Sequence, residues 1–199
     1  MEDILKKYIP PVSVPQVVDM IKHYNVHLKI VGERQTRHGD YRKNPDGTHI
    51  ITVNANLNPY RFLMTLIHEM AHLVAIQKYG RTIKPHGVEW KMTFQKLMVP
   101  FIRPEVYPNH LLPLLARHFR NPSASSDTDA TLSLALKQFD PPNGKHYIFE
   151  VPYGGLFETP DGRVFKKIAQ RTKRFECMDV KNGKIYLFNP NAEVELIQS

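Results

Sequence analysis

Cysteine is nearly absent: the 199 residues contain one, Cys177. That excludes an intramolecular disulfide and any metal site built from several thiolates. No apolar stretch approaches the roughly 20 residues needed to span a bilayer. Met1 to Lys7 shows no basic segment followed by an apolar run. No signal peptide is therefore expected, nor a membrane partner, and the chain reads as cytosolic. The sequence has no internal repeat, no low-complexity tract and no phosphate-cradling Gly-rich loop, and it singles out no Ser-His-Asp set. Acids are outnumbered, 19 against 27 bases, for a net charge of +8. Such a surface favours polyanions such as nucleic acid, but net charge alone does not separate DNA binding from solubility.

The stretch that stands out is His68-Glu69-Met70-Ala71-His72, of the form H-E-x-x-H. On a helix, residues four apart lie on one face, so both imidazoles can reach one metal ion. Glu69 lies beside them, where a carboxylate can accept a proton from a water activated by the metal. The flanks predict a helix. Asn58 suits the N-cap, Pro59 the first turn and Gly80 the stop. Phe62, Leu63, Leu66, Ile67, Met70, Leu73 and Val74 recur at helical spacing. A satisfied core histidine would explain one such residue. Two histidines and a glutamate on a buried helix call for a metal, because unpaired polar groups there are costly.

A catalytic zinc usually takes three protein ligands. Residues 75 and 78 are Ala and Lys, where the metzincin pattern wants Gly and His, so the third ligand lies further on. His86 is preferred, on a Pro-His-Gly turn at the mouth of a new helix. Glu89, inside that helix, is the rival.

Around this motif the expected architecture is α+β. Helices at 3–8 and 14–24 precede strands at 26–31, 40–42 and 49–54, read as a small antiparallel sheet against the metal helix. Asn44-Pro45-Asp46-Gly47 marks a turn. Arg34, Arg37, Arg42 and Lys43 read as a solvated sheet face, against a substrate or nucleic-acid contact. Further helices are expected at 88–99, 111–119 and 132–139, with Trp90 in the core. Candidate strands follow at 146–151, 164–166, 172–180, 184–188 and 194–197. The domains read as 1–120, a linker at 121–143 and a small β-rich module at 144–199. In that module Arg163, Lys166, Lys167, Arg171, Lys173 and Arg174 fall within twelve residues without an acid. Interleaved aromatics make them a candidate nucleic-acid surface, against a plain aromatic core with a solubilising edge. Cys177 reads as a buried hydrophobe.

Residues 10–105 resemble the SprT-like family, bacterial relatives of the Spartan metalloproteases. The resemblance rests on Asn56-Leu57-Asn58, on His68-Glu69-Met70-Ala71-His72 and on Lys84-Pro85-His86-Gly87-Val88-Glu89-Trp90-Lys91; Gly39-Asp40-Tyr41-Arg42 is similar as well. It implies a zincin-like metallopeptidase domain with one zinc on His68, His72 and His86, and Glu69 as general base. It also implies a protein substrate and, as in Spartan-type members, proteins crosslinked to DNA. Many members carry a four-cysteine zinc ribbon at the C-terminus; this chain lacks those cysteines. The alternative function is a non-catalytic DNA- or protein-binding module with a structural zinc.

Overall fold

The computed structural model describes residues 1–34, 37–123, 129–141, 144–172 and 174–197. The chain divides into two compact units. The first comprises Met1–Ser126 and Leu134–Asp140, the second Asp127–Ser133 and Pro141–Ser199.

In the first unit, α1 (Glu2–Leu5) and α2 (Val14–His23) lead into β1 (Val26–Val31), β2 (Gly39–Lys43) and β3 (His49–Asn54). Then come α3 (Pro59–Tyr79), α4 (Val88–Met98) and α5 (Leu112–Phe119). Helix α2 turns Val14, Val17, Val18 and Ile21 inward. The three strands form a sheet in the order β1-β3-β2. It is mixed, not antiparallel: β1 pairs β3 in parallel, and only β2 and β3 are antiparallel. The connection after β1 carries the chain to the far side of β3's place, so β1 and β2 never become neighbours. The turn at Asn44–Thr48 then folds β3 back between them. It is closed by Asn44 N–H on the Thr48 carbonyl at 2.9 Å, with Gly47 at φ 88°.

Helix α3 carries the site, and its start and stop follow the sequence signals. Asn58 Oδ1 accepts the backbone N–H groups of Tyr60 (3.1 Å) and Arg61 (3.0 Å). Gly80, at φ 88°, ends the helix. The Asn58 carboxamide also donates to the Leu136 carbonyl and to Asp140 Oδ1, tying residues 134–140 to the cap. Replacing such a cap with alanine typically costs about 1 kcal/mol. Phe62, Leu63, Leu66, Ile67, Ala71 and Leu73 are fully buried. The helix packs against α4 on one side and against β2 and β3 on another. Each fully buried large aliphatic or aromatic side chain contributes about 1.5–3 kcal/mol.

Helix α6 (Ala130–Lys137) is divided between the units at Leu134. The second unit is otherwise β: β4 (His146–Tyr147), β5 (Leu156–Glu158), β6 (Val164–Arg171), β7 (Arg174–Asp179), β8 (Ile185–Phe188) and β9 (Glu193–Leu196). They form one sheet ordered β4-β9-β5-β6-β7-β8. The expected strand at 146–151 stops after Tyr147 and becomes a 3-10 turn, Ile148–Glu150. Glu150 reaches back to accept the Tyr147 N–H at 2.7 Å and ends the strand. Strand β5 is too short to give a periodic signal and was not predicted. The core is Ile148, Val151, Phe157, Phe165, Phe175, Cys177 and Val194. Among the described residues, no helix is long and apolar enough to cross a membrane.

Candidate metal centre

His68 and His72 stand one turn apart on α3, with Nε2 atoms 3.2 Å from each other. His86 Nε2 completes a triangle, 3.0 Å from His72 and 3.2 Å from His68. Among the described residues this is the one group of three or more His, Cys, Asp or Glu side chains disposed to hold a metal. Glu89, the rival third ligand, is not part of it.

His86 reaches the triangle from a tight turn. Gly87 N–H bonds the Lys84 carbonyl at 2.9 Å, and a Cβ at Gly87 would stand 2.9 Å from that same oxygen. His86 itself adopts φ 59°, a left-handed conformation that costs a non-glycine residue about 1–2 kcal/mol. The turn then delivers α4, with Gly87 as its N-cap.

One turn into α4, the fully buried Trp90 walls the triangle. Its ring centroid lies 4.7 Å from those of His68 and His86 and 5.3 Å from that of His72. Phe94, a further turn along, stacks 4.9 Å from Trp90 and 5.4 Å from His68. Sequence reasoning placed Trp90 in the core but missed its contact with all three histidines.

This apolar wall sets the protonation of the site. Burial, reinforced by the neighbouring His72 and His86, pushes His68 down to about 2. Burial and His86 bring His72 to about 4, and burial also lowers His86. The imidazoles are thus neutral at physiological pH, the state that offers lone pairs to a metal. Tetrahedral coordination with Zn–N bonds of about 2.0–2.1 Å sets ligand nitrogens about 3.3 Å apart, close to the triangle found. The donor set therefore fits one divalent ion.

Glu69 follows His68 on the same helix turn, its Oε1 3.9 Å from His68 Nε2. Burial, with the nearby Asp40 charge, raises its carboxyl to about 8. The Tyr41 backbone N–H, Arg34 and Arg37 oppose that rise. Arg34 is anchored to β3 through Asn54 Oδ1 (2.8 Å) and Thr52 Oγ1 (3.0 Å), and Arg37 pairs with Asp40 at 2.8 Å. These two bases are therefore more than a solvated face: they bias the charge of Glu69.

The basic residues of the second unit do not behave as one surface. Lys167 is buried, 3 % exposed. Its Nζ donates to the carbonyls of Ile148 (2.9 Å), Phe149 (3.3 Å) and Val151 (2.6 Å), and sits 3.9 Å over the Phe175 ring. It shares the inward face of β6 with Phe165, so it cannot meet a nucleic acid. Arg163, Lys166, Arg171 and Arg174 are exposed. Of these, Arg163 is held by Asp161 at 2.7 Å and Arg171 lies 3.8 Å from Glu176. Lys173 lies outside the described residues. Phe157, Phe165 and Phe175 fill the core and offer no stacking platform, whereas Tyr153 is exposed.

Residues 15–110 match the SprT-like family. Curated relatives called Protein SprT include one from Vibrio parahaemolyticus, 38 % identical over 69 residues, which are 34 % of this chain and 37 % of that protein. One from Pseudomonas fluorescens SBW25 is 36 % identical over 72 residues, 35 % of this chain and 44 % of that protein. A second P. fluorescens protein, from strain Pf-5, is 36 % identical over 64 residues, 32 % of this chain and 39 % of that protein. The chain thus spans less than half the length of these relatives. No solved structure gives a significant match. The matched residues 15–110 carry the three histidines and Glu69, and this segment is similar to the SprT-like family.

Proposed function

We propose that this protein is a zinc-dependent metallopeptidase acting on DNA-associated or DNA-crosslinked proteins. The observation that carries the reading is the triangle of Nε2 atoms at 3.0–3.2 Å with a buried carboxylate at its side. His68, His72 and His86 would hold the ion. When bound, zinc supplies a Lewis acid that polarises a scissile carbonyl and acidifies water. Glu69 takes the proton of the attacking water and returns it to the leaving amine. Its carboxyl, buried beside His68, is placed to carry that proton between the two groups, and a dication held by the histidines would favour its ionised form. Trp90 and Phe94 exclude water behind the histidines, which keeps the imidazoles neutral.

The DNA part of the proposal rests on the net charge of +8 and on the exposed bases Lys166 and Arg174. It implies that substrates are selected by where they sit more than by their sequence.

Glu69→Gln separates the enzyme from a binding module with structural zinc. The expected result is retention of about one zinc with turnover of an unfolded protein probe reduced by about 10²–10⁴-fold. DNA added to the wild type should accelerate cleavage. Zinc retention with no turnover in either wild type or variant, with or without DNA, would replace the peptidase by the non-catalytic module.

A further inference from the structure

We propose that strand β2 fixes the Glu69 carboxylate in place, with Gly39 as the positioning residue. This rests on the peptidase reading above.

A side chain at residue 39 has no room. An added Cβ would stand 2.8 Å from Thr65 Cγ2, 2.9 Å from Glu69 Cγ and 2.9 Å from Glu69 Oε1. These are its three nearest atoms, and none belongs to a histidine. Backbone strain is not the reason for glycine here, because Gly39 is not among the glycines with positive φ. The reason is close approach between β2 and helix α3. Thr65 and Glu69 are four apart on α3 and so share one face, which β2 covers.

The second half of the hold comes from the same strand. Tyr41, two residues along β2, turns its backbone N–H towards Glu69 and holds the carboxyl's pKa down. Strand β2 is an edge of its sheet, bonded to β3 on one side only. The contact of Thr52 Oγ1 with the Asp40 carbonyl, at 3.5 Å, places Asp40 on the β3 side. Backbone polar groups alternate along a strand, so the Tyr41 N–H points away from β3 and is free for a side chain. Glu69 is the carboxyl it faces. A glutamate has three rotatable bonds and would otherwise sample several rotamers. Packed against a bare backbone at Gly39, with the Tyr41 N–H on the same side, it keeps one. A base held this way needs no rearrangement before it accepts a proton, and a displacement of about 1 Å can cost about 100-fold in rate.

The test is Gly39→Ala in the full chain, read three ways. Zinc content by elemental analysis should stay near one equivalent. With casein as probe, kcat should fall about 10- to 100-fold while KM is unchanged. A merely structural role would lower zinc content or move KM as well. The third readout needs no activity: the drop in melting temperature of zinc-free protein caused by Gly39→Ala should be at least halved in a Thr65→Ser/Glu69→Ala background, where the crowding atoms are gone. If Gly39→Ala alone does not fold, recovery of a folded protein in that background supports the contact. An equal drop in both backgrounds, or failure to fold in both, overturns the proposal. A wild type that never cleaves casein, with the melting-temperature coupling present, would instead sink the peptidase reading and leave the contact standing.

Discussion

In the first unit three imidazole nitrogens face one another across 3.0–3.2 Å. In the second a single ammonium, Lys167 Nζ, is ringed by three backbone carbonyls at 2.6–3.3 Å. Both sites bury polar atoms inside an aromatic wall, Trp90 and Phe94 in one, Phe175 in the other. The difference lies in the sign of what is gathered. Lys167 brings its own positive charge to a ring of acceptors, and the set is satisfied within the chain. The histidines bring three ring nitrogens and no cationic side chain, a set that an external ion would complete. In the second unit a side chain supplies the cation. In the second unit the lysine gathers the 148–151 turn onto β6.

The comparison can be broken at either end. The largest effect is expected at His86→Ala, which removes one donor of the triangle. Zinc affinity should fall by more than about 100-fold, exceeding the cost of losing a supporting contact. Titration against a competing chelator measures it. Unchanged affinity would move the third ligand elsewhere and leave the triangle without a purpose.

Next comes Lys167→Ala. It strands the carbonyls of Phe149 and Val151, leaves that of Ile148 with only the Val151 N–H at 3.2 Å, and should destabilise the second unit by about 2 kcal/mol or more in denaturant titration. Lys167→Met keeps the stem and should recover only the packing part of that loss. Zinc content should be unaffected by either. If Lys167→Met were as stable as the wild type, the ammonium would be dispensable and the contrast between the units would fail.

A smaller effect is the pH dependence of zinc-free protein. His68 and His72 have folded values of about 2 and about 4, below the ordinary 6.5. The unfolded chain then binds more protons as pH falls below 6.5, so stability present above that pH is lost on acidification towards the folded values. Glu69, raised to about 8 from 4.5, acts in the opposite sense: its contribution is complete below 4.5 and is lost as pH rises through about 8. Thermal melts between pH 7 and pH 4 should show a shallower fall in a His68→Ala/His72→Ala variant than in the wild type. Parallel curves would mean that the histidines are not buried as neutral groups.

The sequence made these two sites unequally legible. The histidine pair is set by local rules: four residues on a capped helix put His68 and His72 on one face, and Asn58 and Gly80 mark its ends. His86 was legible because the Pro-His-Gly turn before α4 brings the chain back within a short span. What lies between distant segments was not legible. The parallel pairing of β1 with β3 depends on a crossover that carries no periodic signal. The role of Gly39 depends on how closely β2 approaches α3, and a glycine in a strand announces only that something is near. Lys167 was misread because six bases within twelve residues look solvated. Its strand alternation with Phe165 put it inward, and its carbonyl partners lie 16 to 19 residues away. Ile168 is exposed, as that alternation requires, and the register then shifts between Lys167 and Ala169.

The most direct measurement is the metal stoichiometry of the wild-type chain, by elemental analysis after zinc is supplied and excess removed. The histidine triangle in one unit and the lysine in the other together require one equivalent, lost in the His86→Ala protein and kept in the Lys167→Met protein. No bound zinc would contradict the metal centre. Two equivalents, or loss of zinc in Lys167→Met, would contradict the division of roles between the units.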